Sequence, residues 1–304
     1  MAPKNKIVNL PFLGRVALVS DKGGEASGFP GGLGFHTNVS AQLIRNGSPV
    51  EAKKVWEGHT LAYRWLHRHD DPTLMDLGSG LVTNIGATAL ANEAITLASP
   101  SGARINTLFL SNQHATGTGT TAAAATDFKL QTVSTQGGQN AVAGTQSIDT
   151  TSTIAVPKYK TVATVVYTGT EAVTEWGLHT NATLSTTTGT PFTATSATTF
   201  TATGTPFTAS SSTVQGLQQQ IVIAGTTTVL GLIQSNTTSV GTLFNNGTTG
   251  WFTQAAQTAG STPGGTEAYT LRPIMWDHKV FGAINVVNGD SIQFTYTLTV
   301  TSGG

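Results

Sequence analysis

The strongest constraint on this chain is a strict two-residue alternation near its C-terminal end. Between Ser291 and Ser302, apolar Ile292, Phe294, Tyr296, Leu298 and Val300 alternate with Gln293 and threonines. A period of two puts one row of side chains on each face of a strand, so this segment reads as a long strand buried on one side only. The same alternation recurs in Ile105–Gln113, Asp127–Ser134, Thr161–Gly169 and Ala172–Leu178. QQQIVIAG (218–225) and VLGLIQS (229–235) are further strand candidates. Repeated half-buried strands separated by glycine- and threonine-rich stretches predict a mainly β fold, a sandwich or jelly-roll-like body. Asn288-Gly289 between two β-rich runs predicts a terminal hairpin, because both residue types tolerate positive φ.

Composition narrows what such a body can do. Only 10% of the residues are charged, with 15 basic and 15 acidic, against about 25% in ordinary soluble domains. With no net charge there is no global attraction for nucleic acid or an anionic membrane. Neither is expected as a partner. A surface so poor in charge tends to associate, and it is read here as covered by protein partners. The absence of cysteine excludes disulfides and thiolate chemistry. No apolar run approaches the roughly 18 residues of a membrane span. The start, MAPKNKIVNLPFLGRVALVS, mimics a signal peptide. Pro11, Gly14 and Arg15 interrupt its apolar stretch, and no small-residue cleavage site follows cleanly, so it is not expected to be one.

Three regions differ in composition. Residues 1–75 hold half of the charged residues and the aromatics Trp56, Tyr63 and Trp65. Within them, glycine-rich Ser20–Ser40 reads as an extended arm or long loop. A helix is expected next, capped by Ser48, with Pro49 at its first position, Glu51 completing a capping box, and an end before Pro72. Residues 76–185 and 270–304 form the β-rich body, with a short helix expected over 86–98. Residues 186–269 form a threonine- and glycine-rich β insertion, expected to be exposed. It repeats TGTPFTA at Thr188–Ala194 and Thr203–Ala209, which predicts a hairpin-like pair or local duplication.

Several clusters invite a chemical reading. His67, His69, Asp70 and Asp71 could bind a divalent ion. Residues two apart on a helix diverge, however, so the cluster reads first as a charged helix end or intersubunit contact, and no metal site is assigned. Gly78-Ser79-Gly80 and the Gly117/Gly119 stretch resemble phosphate-cradling loops but lack the full motifs. Glu171 and Glu175 lie four apart, sharing a strand face, and paired carboxylates serve glycoside hydrolysis. Trp176 beside them reads instead as a core anchor next to a surface carboxylate. Asp277-His278 lacks a nucleophile and reads as strand-edge polar contacts. The sequons at Asn181 and Asn246 read as chance in so threonine-rich a chain. No catalytic residue and no cofactor is expected.

DLGSGLVTNIGATALAN, GTGTTAAAATDFKLQT, TVATVVYTGTEAVTEWGL and the ending MWDHKVFGAINVVNGDSIQFTYTLTVTSGG together resemble structural proteins of tailed bacteriophages. The resemblance covers roughly 76–185 and 270–304. It implies a non-enzymatic particle component located in the virion, and it supplies no catalytic residues. The expected roles are a capsid cement or decoration protein, a tail, baseplate or fibre-associated protein, or, from another class, a carbohydrate-binding protein. The expected partners are further copies, a trimer being favoured, and the major capsid protein or tail proteins. The N-terminal arm would order on a neighbour, anchored by Phe12, Phe35, Trp56, Tyr63 and Trp65, since buried aromatics dominate interface energetics.

Overall fold

The computed structural model describes residues 6–10, 14–18, 33–55, 71–87, 111–137, 141–149, 158–180 and 269–302, together with short strands between 187 and 267. For the strands within 6–18 and 187–271, and for 33–35, 149 and 300–302, only the backbone is described.

The first strands, β1 (Lys6–Leu10) and β2 (Gly14–Leu18), pair with each other in an antiparallel hairpin. The next, β3 (Leu33–Arg45), is a long strand. The glycine-rich segment read as arm therefore runs into the body at its C-terminal end, where Val39, Ala41 and Leu43 are buried. Asn46 (φ 51°) and Gly47 (φ 74°) turn the chain back into β4 (Ser48–Pro49), which pairs with the end of β3. Ser48 is thus a strand residue and not the helix cap. The helical turn α1 (Ala52–Val55) starts after it, with Lys54 N–H donating to the Glu51 carbonyl. Residues 56–70 of the expected helix lie outside the described residues.

β5 (Met75–Gly78) pairs with β3, and β6 (Leu81–Val82) opens a second sheet. A helical turn over 84–87 follows. The Thr83 hydroxyl accepts from Gly86 N–H (3.0 Å) and caps it, two residues ahead of the expected start. The strand expected over Ile105–Gln113 is described only from its end, as β7 (Gln113–Gly117). Asp127–Ser134 is not a strand. Its one ladder contact is an isolated bridge between Val133 and Gly117, because its amides have another partner, described below. After β8 (Val142–Ala143) and β9 (Thr145–Asp149) come β10 (Lys158–Val166) and β11 (Glu171–His179), both where alternation placed strands.

Residues 187–273 build a separate ring of strands: β12 (Thr187–Thr188), β13 (Phe192–Ala194), β14 (Thr199–Ala202), β15 (Gln219–Ile223), β16 (Val229–Asn236), β17 (Val240–Leu243), β18 (Thr266–Glu267) and β19 (Tyr269–Pro273). β13 pairs with β14, β14 with β17, β17 with β16, β16 with β15, and β15 with β19. The ring then returns on itself. β12 pairs with β19 and β13 with β18, with one residue of register shift between Thr188↔Thr270 and Phe192↔Glu267. The described ladders of these antiparallel strands therefore run in a closed circuit, a barrel. Its middle three (β15, β16, β17) form a meander that the chain enters and leaves by Greek-key crossings. The first TGTPFTA copy supplies Thr188 of β12 and all of β13. Its hairpin partner β14 precedes the second copy, which lies outside the described residues from Thr203 on.

The chain leaves the barrel into β20 (Met275–Val286) and ends in β21 (Ser291–Ser302). One sheet runs β4-β3-β21-β10-β9 with β5 on β3, the other β6-β20-β11-β7-β8. They pack as a sandwich, with Val39, Leu43, Trp176, Trp276, Ile284, Phe294 and Tyr296 among the core residues. Each large side chain removed from water contributes about 1.5–3 kcal/mol. β21 is central, laddered to β3 from Ser291↔Ile44 to Ser302↔Leu33 and to β10 on its other side. Ile292, Phe294, Tyr296 and Leu298 are all buried, as the alternation required.

Asn288-Gly289 does not close a hairpin. β20 and β21 belong to different sheets, so the turn is an arch from one to the other. The β10–β11 connection crosses in the same way, and the arches are bonded together. Tyr167 N–H donates to the Asp290 carbonyl (2.9 Å), and Gly289 N–H donates to the Tyr167 carbonyl (3.0 Å). Gly289 holds φ +88°, a conformation that favours glycine. Arg45 on β3 clamps the arch, its Nη2 lying 2.7 Å from Asp290 Oδ2.

Candidate functional site

The densest chemistry lies on β11 and β20, on the side of their sheet covered by the irregular segment 118–134. A bulge between Val173 and Glu175 shifts the β11 register against β20. Glu175 is fully buried, which corrects its reading as a surface carboxylate. Its Oε1 accepts from Gln131 N–H (2.6 Å), and its Oε2 accepts from Gly119 N–H (3.1 Å) and Thr132 N–H (3.3 Å). His278 on β20 lies with Nε2 2.9 Å from Glu175 Oε1 and Nδ1 2.7 Å from Asp127 Oδ2.

The Gly117/Gly119 stretch resembles a phosphate-cradling loop but lacks the full motif. Its amide geometry is that of an anion site, but the anion is the chain's own Glu175. Glycine is required for this approach, since a Cβ on Gly119 would stand 2.5 Å from Glu175 Oε2, and one on Gly117 would stand 2.3 Å from the Thr132 carbonyl oxygen. Glu171 serves the same segment, accepting from the Ser134 hydroxyl and from Thr135 N–H (3.2 Å). The two glutamates thus tie one loop to one strand.

Electrostatics explain why buried charge is tolerated here. Burial pushes the Glu175 carboxyl up, but the His278 bond, the Gln131 and Thr132 amides and the His278 charge outweigh it and hold it below its ordinary range. Burial likewise disfavours the His278 imidazolium, and the two flanking carboxylates outweigh that, raising its pKa. The resulting carboxylate–imidazolium–carboxylate clamp is a buried ion network whose members are hydrogen-bonded, the condition under which such charges are stable. β20 is flanked by β6 and β11, and both Asp277 and His278 are buried. This corrects their reading as strand-edge contacts.

Asp277 is fully buried, and the Thr37 and Tyr296 hydroxyls, the His278 N–H and the Lys279 charge, which favour its carboxylate, do not offset that burial. Burial raises its pKa to about 7. A second line of polar groups crosses the sandwich interior. Trp176 Nε1–H donates to His114 Nδ1 (3.2 Å), and His114 Nε2 faces the Thr161 hydroxyl (3.2 Å). Burial drives the His114 pKa down to about 3. The ring is therefore neutral, with its proton on Nε2, toward Thr161. Trp276 Nε1–H donates to Tyr296 Oη (2.7 Å), and Tyr167 Oη–H to Thr116 Oγ1 (3.2 Å). Trp176 is a core anchor, as expected.

Of the remaining residues singled out by sequence, few lie among the described residues. Phe35 lies on β3 opposite Val300, and nothing is described of its side chain. Phe12, Trp56, Tyr63, Trp65, His67, His69 and Asp70 lie outside the described residues, as do both sequons. Asp71 accepts from the Thr73 backbone and hydroxyl, a local turn. Gly78-Ser79-Gly80 is the β5–β6 turn, where the Ser79 carbonyl accepts from Lys279 Nζ (2.7 Å). What the sequence missed is the partnership of Asp127, Glu175 and His278, separated by up to 151 positions. No local signal links them.

No family model matches the chain, and no curated protein or solved structure matches it either.

Proposed function

We propose that this protein is a non-enzymatic structural component of a bacteriophage virion, a capsid cement or decoration protein that binds neighbouring capsid subunits through its N-terminal segment. The observation that carries this reading is the β1–β2 hairpin. It forms no ladder with another strand among the described residues, only a side-by-side approach of β2 to β3, and a two-stranded hairpin is marginally stable at best in water. Laid against a neighbouring subunit, it gains the cover it needs, and the aromatics Phe12, Phe35, Trp56, Tyr63 and Trp65 are the anchors of that contact. The resemblance to tailed-phage structural proteins and the low charge support the same reading. The clamped loop and bonded arches suit a rigid scaffold. Glu175 and Trp176 have no exposed surface to offer a sugar, which leaves partly exposed Glu171 alone to support a carbohydrate reading.

The test is quantitative mass spectrometry of purified particles with the full chain and with residues 1–18 deleted. Hundreds of copies per particle, and loss of incorporation on deletion, are expected. About a dozen copies would move the protein to the tail, and normal incorporation of the truncated chain would remove the hairpin from the contact.

A further inference from the structure

Asn-Gly pairs stand at Asn46, Asn246 and Asn288. Such a pair carries its own reaction. The glycine nitrogen can attack the carbon of the asparagine side-chain amide, because glycine has no Cβ to obstruct the approach and its backbone rotates freely. A C–N bond forms, and ammonia leaves with the proton that the glycine nitrogen gives up. The succinimide ring so formed takes up one water, which opens it at either carbonyl to leave isoaspartate or aspartate. No enzyme, oxidant or cofactor is required. In a folded chain the rate is therefore set by what holds the glycine nitrogen and the asparagine backbone.

Asn246-Gly247 lies outside the described residues, and the other two pairs can be compared. Exposure does not separate them. Asn46, Gly47, Asn288 and Gly289 are all exposed, and a Cβ on either glycine would meet nothing within 4 Å. Bonding does separate them. Gly289 N–H donates to the Tyr167 carbonyl (3.0 Å), and Asp290 N–H donates to the Val287 carbonyl (3.0 Å). Val287 N–H in turn donates to Asp290 Oδ2 (3.0 Å). The arch is thus pinned from within and from the neighbouring arch, and Gly289 cannot swing its nitrogen toward Asn288 without breaking these bonds.

The turn at Asn46 has no such restraint. Neither Gly47 N–H nor the Asn46 side chain has a hydrogen-bond partner among the described residues. Asn46 is also the one non-glycine residue at positive φ among them, at 51°, a conformation that a side chain disfavours. The turn is closed by β4, two residues long, which lies at the sheet edge and pairs only with β3. A short edge element opens at far less cost than the sandwich core. Opening releases the positive φ and frees Asn46 to close the ring.

We propose that Asn46 is a self-modifying site, which deamidates in the folded protein and so unlatches β4 from β3, while the bonded arches keep Asn288 intact. Isoaspartate adds one backbone atom to a turn of two residues between paired Arg45 and Ser48. Either product adds a negative charge to a chain with no net charge, one residue from the Arg45 that holds Asp290.

The experiment is peptide mapping by mass spectrometry of the full chain, incubated at mildly alkaline pH, folded and in guanidinium. In the folded chain Asn46 should convert faster than Asn288 by on the order of tenfold or more, the separation expected between a fraying edge and a bonded arch. In guanidinium the two rates should come together. Equal rates in the folded chain would overturn the proposal, as would a folded Asn46 that stays intact while the unfolded one converts. A rate difference that persists unchanged in guanidinium would assign it to neighbouring residues and overturn its structural origin. Hydrogen exchange on the modified chain, separated by ion exchange, reads the unlatching. The Val50 amide, which donates to the Leu43 carbonyl (2.8 Å), should lose protection, and unchanged protection there would overturn that part.

Discussion

At the scale of single residues, neighbours on β20 pull stability in opposite directions with pH. Asp277 has its pKa raised from 3.8 to about 7, so the folded state holds a proton that the unfolded chain has already released. Stability should fall between about pH 4 and 7, by up to about 1.4 kcal/mol per unit, and then level off. Asp277→Asn should remove this slope. In urea titrations it should be more stable than the parent at pH 8, by on the order of 2–4 kcal/mol, and the difference should vanish near pH 4. Glu175, lowered from 4.5, contributes stability that is present above that value and lost as pH falls through its folded pKa. His278, raised from 6.5, contributes stability that is complete below that value and lost as pH rises through its folded pKa. The clamp is therefore strongest between about pH 4.5 and 6.5. Glu175→Ala would leave His278 and three amides without their acceptor, and should cost about 3–5 kcal/mol by chemical denaturation at pH 6. Glu175, Trp176 and the Asp277-His278 pair were all visible in the sequence as chemistry-bearing residues. Their burial was not, because alternation gives the face a side chain takes but not what lies over it.

At the scale of elements, the covering segment 118–134 depends on side chain-to-backbone bonds more than on ladder pairing. Hydrogen exchange should therefore show His278→Gln opening this segment first, with the amides of Gln131 and Thr132 losing protection before those of β10 or β21. Equal loss throughout would contradict the clamp. Gly119→Ala places a Cβ against a carboxylate already pinned by three amides, and should cost about 1–3 kcal/mol in thermal or urea unfolding. At the arch, Arg45→Ala leaves Asp290 without its cation, although the carboxylate still accepts from Val287 N–H (3.0 Å). A loss of about 1–2 kcal/mol is expected, seen as a lower denaturation midpoint with unchanged slope. β21 was legible because its residues alternate strictly, and β10 and β11 because apolar residues recur along them, although a bulge in β11 breaks the period between Val173 and Glu175. Asp127–Ser134 alternates as well, yet it is no strand, since Glu175 takes the amides that a ladder would have used. Ser48-Pro49-x-Glu51 carries a capping signature, yet Ser48 sits in β4, because the Asn46-Gly47 turn delivers the chain to β3 first.

At the scale of the whole molecule, the sandwich rests on strands far apart in the chain. β3 and β21 form its longest ladder and come from opposite ends of the sequence. Trp176→Ala should cost about 3–5 kcal/mol and lower the single sandwich transition in calorimetry, because this ring stacks near Tyr296 (5.7 Å between centroids) across the two sheets. What the amino-acid sequence determined by itself was local: that β10, β11 and β21 are strands, that β21 buries one face, that the fold is mainly β, and that the threonine-rich stretch differs from the rest. These follow from side-chain periodicity, which is a property of the backbone repeat. What only the tertiary structure decided was non-local. Asn288-Gly289 bridges two sheets instead of closing a hairpin, the threonine-rich strands close on themselves, and Asp127, Glu175 and His278 meet in one buried clamp. Each depends on which strands lie side by side, and that is settled by burying all the apolar faces at once, a condition that no window of neighbouring residues contains.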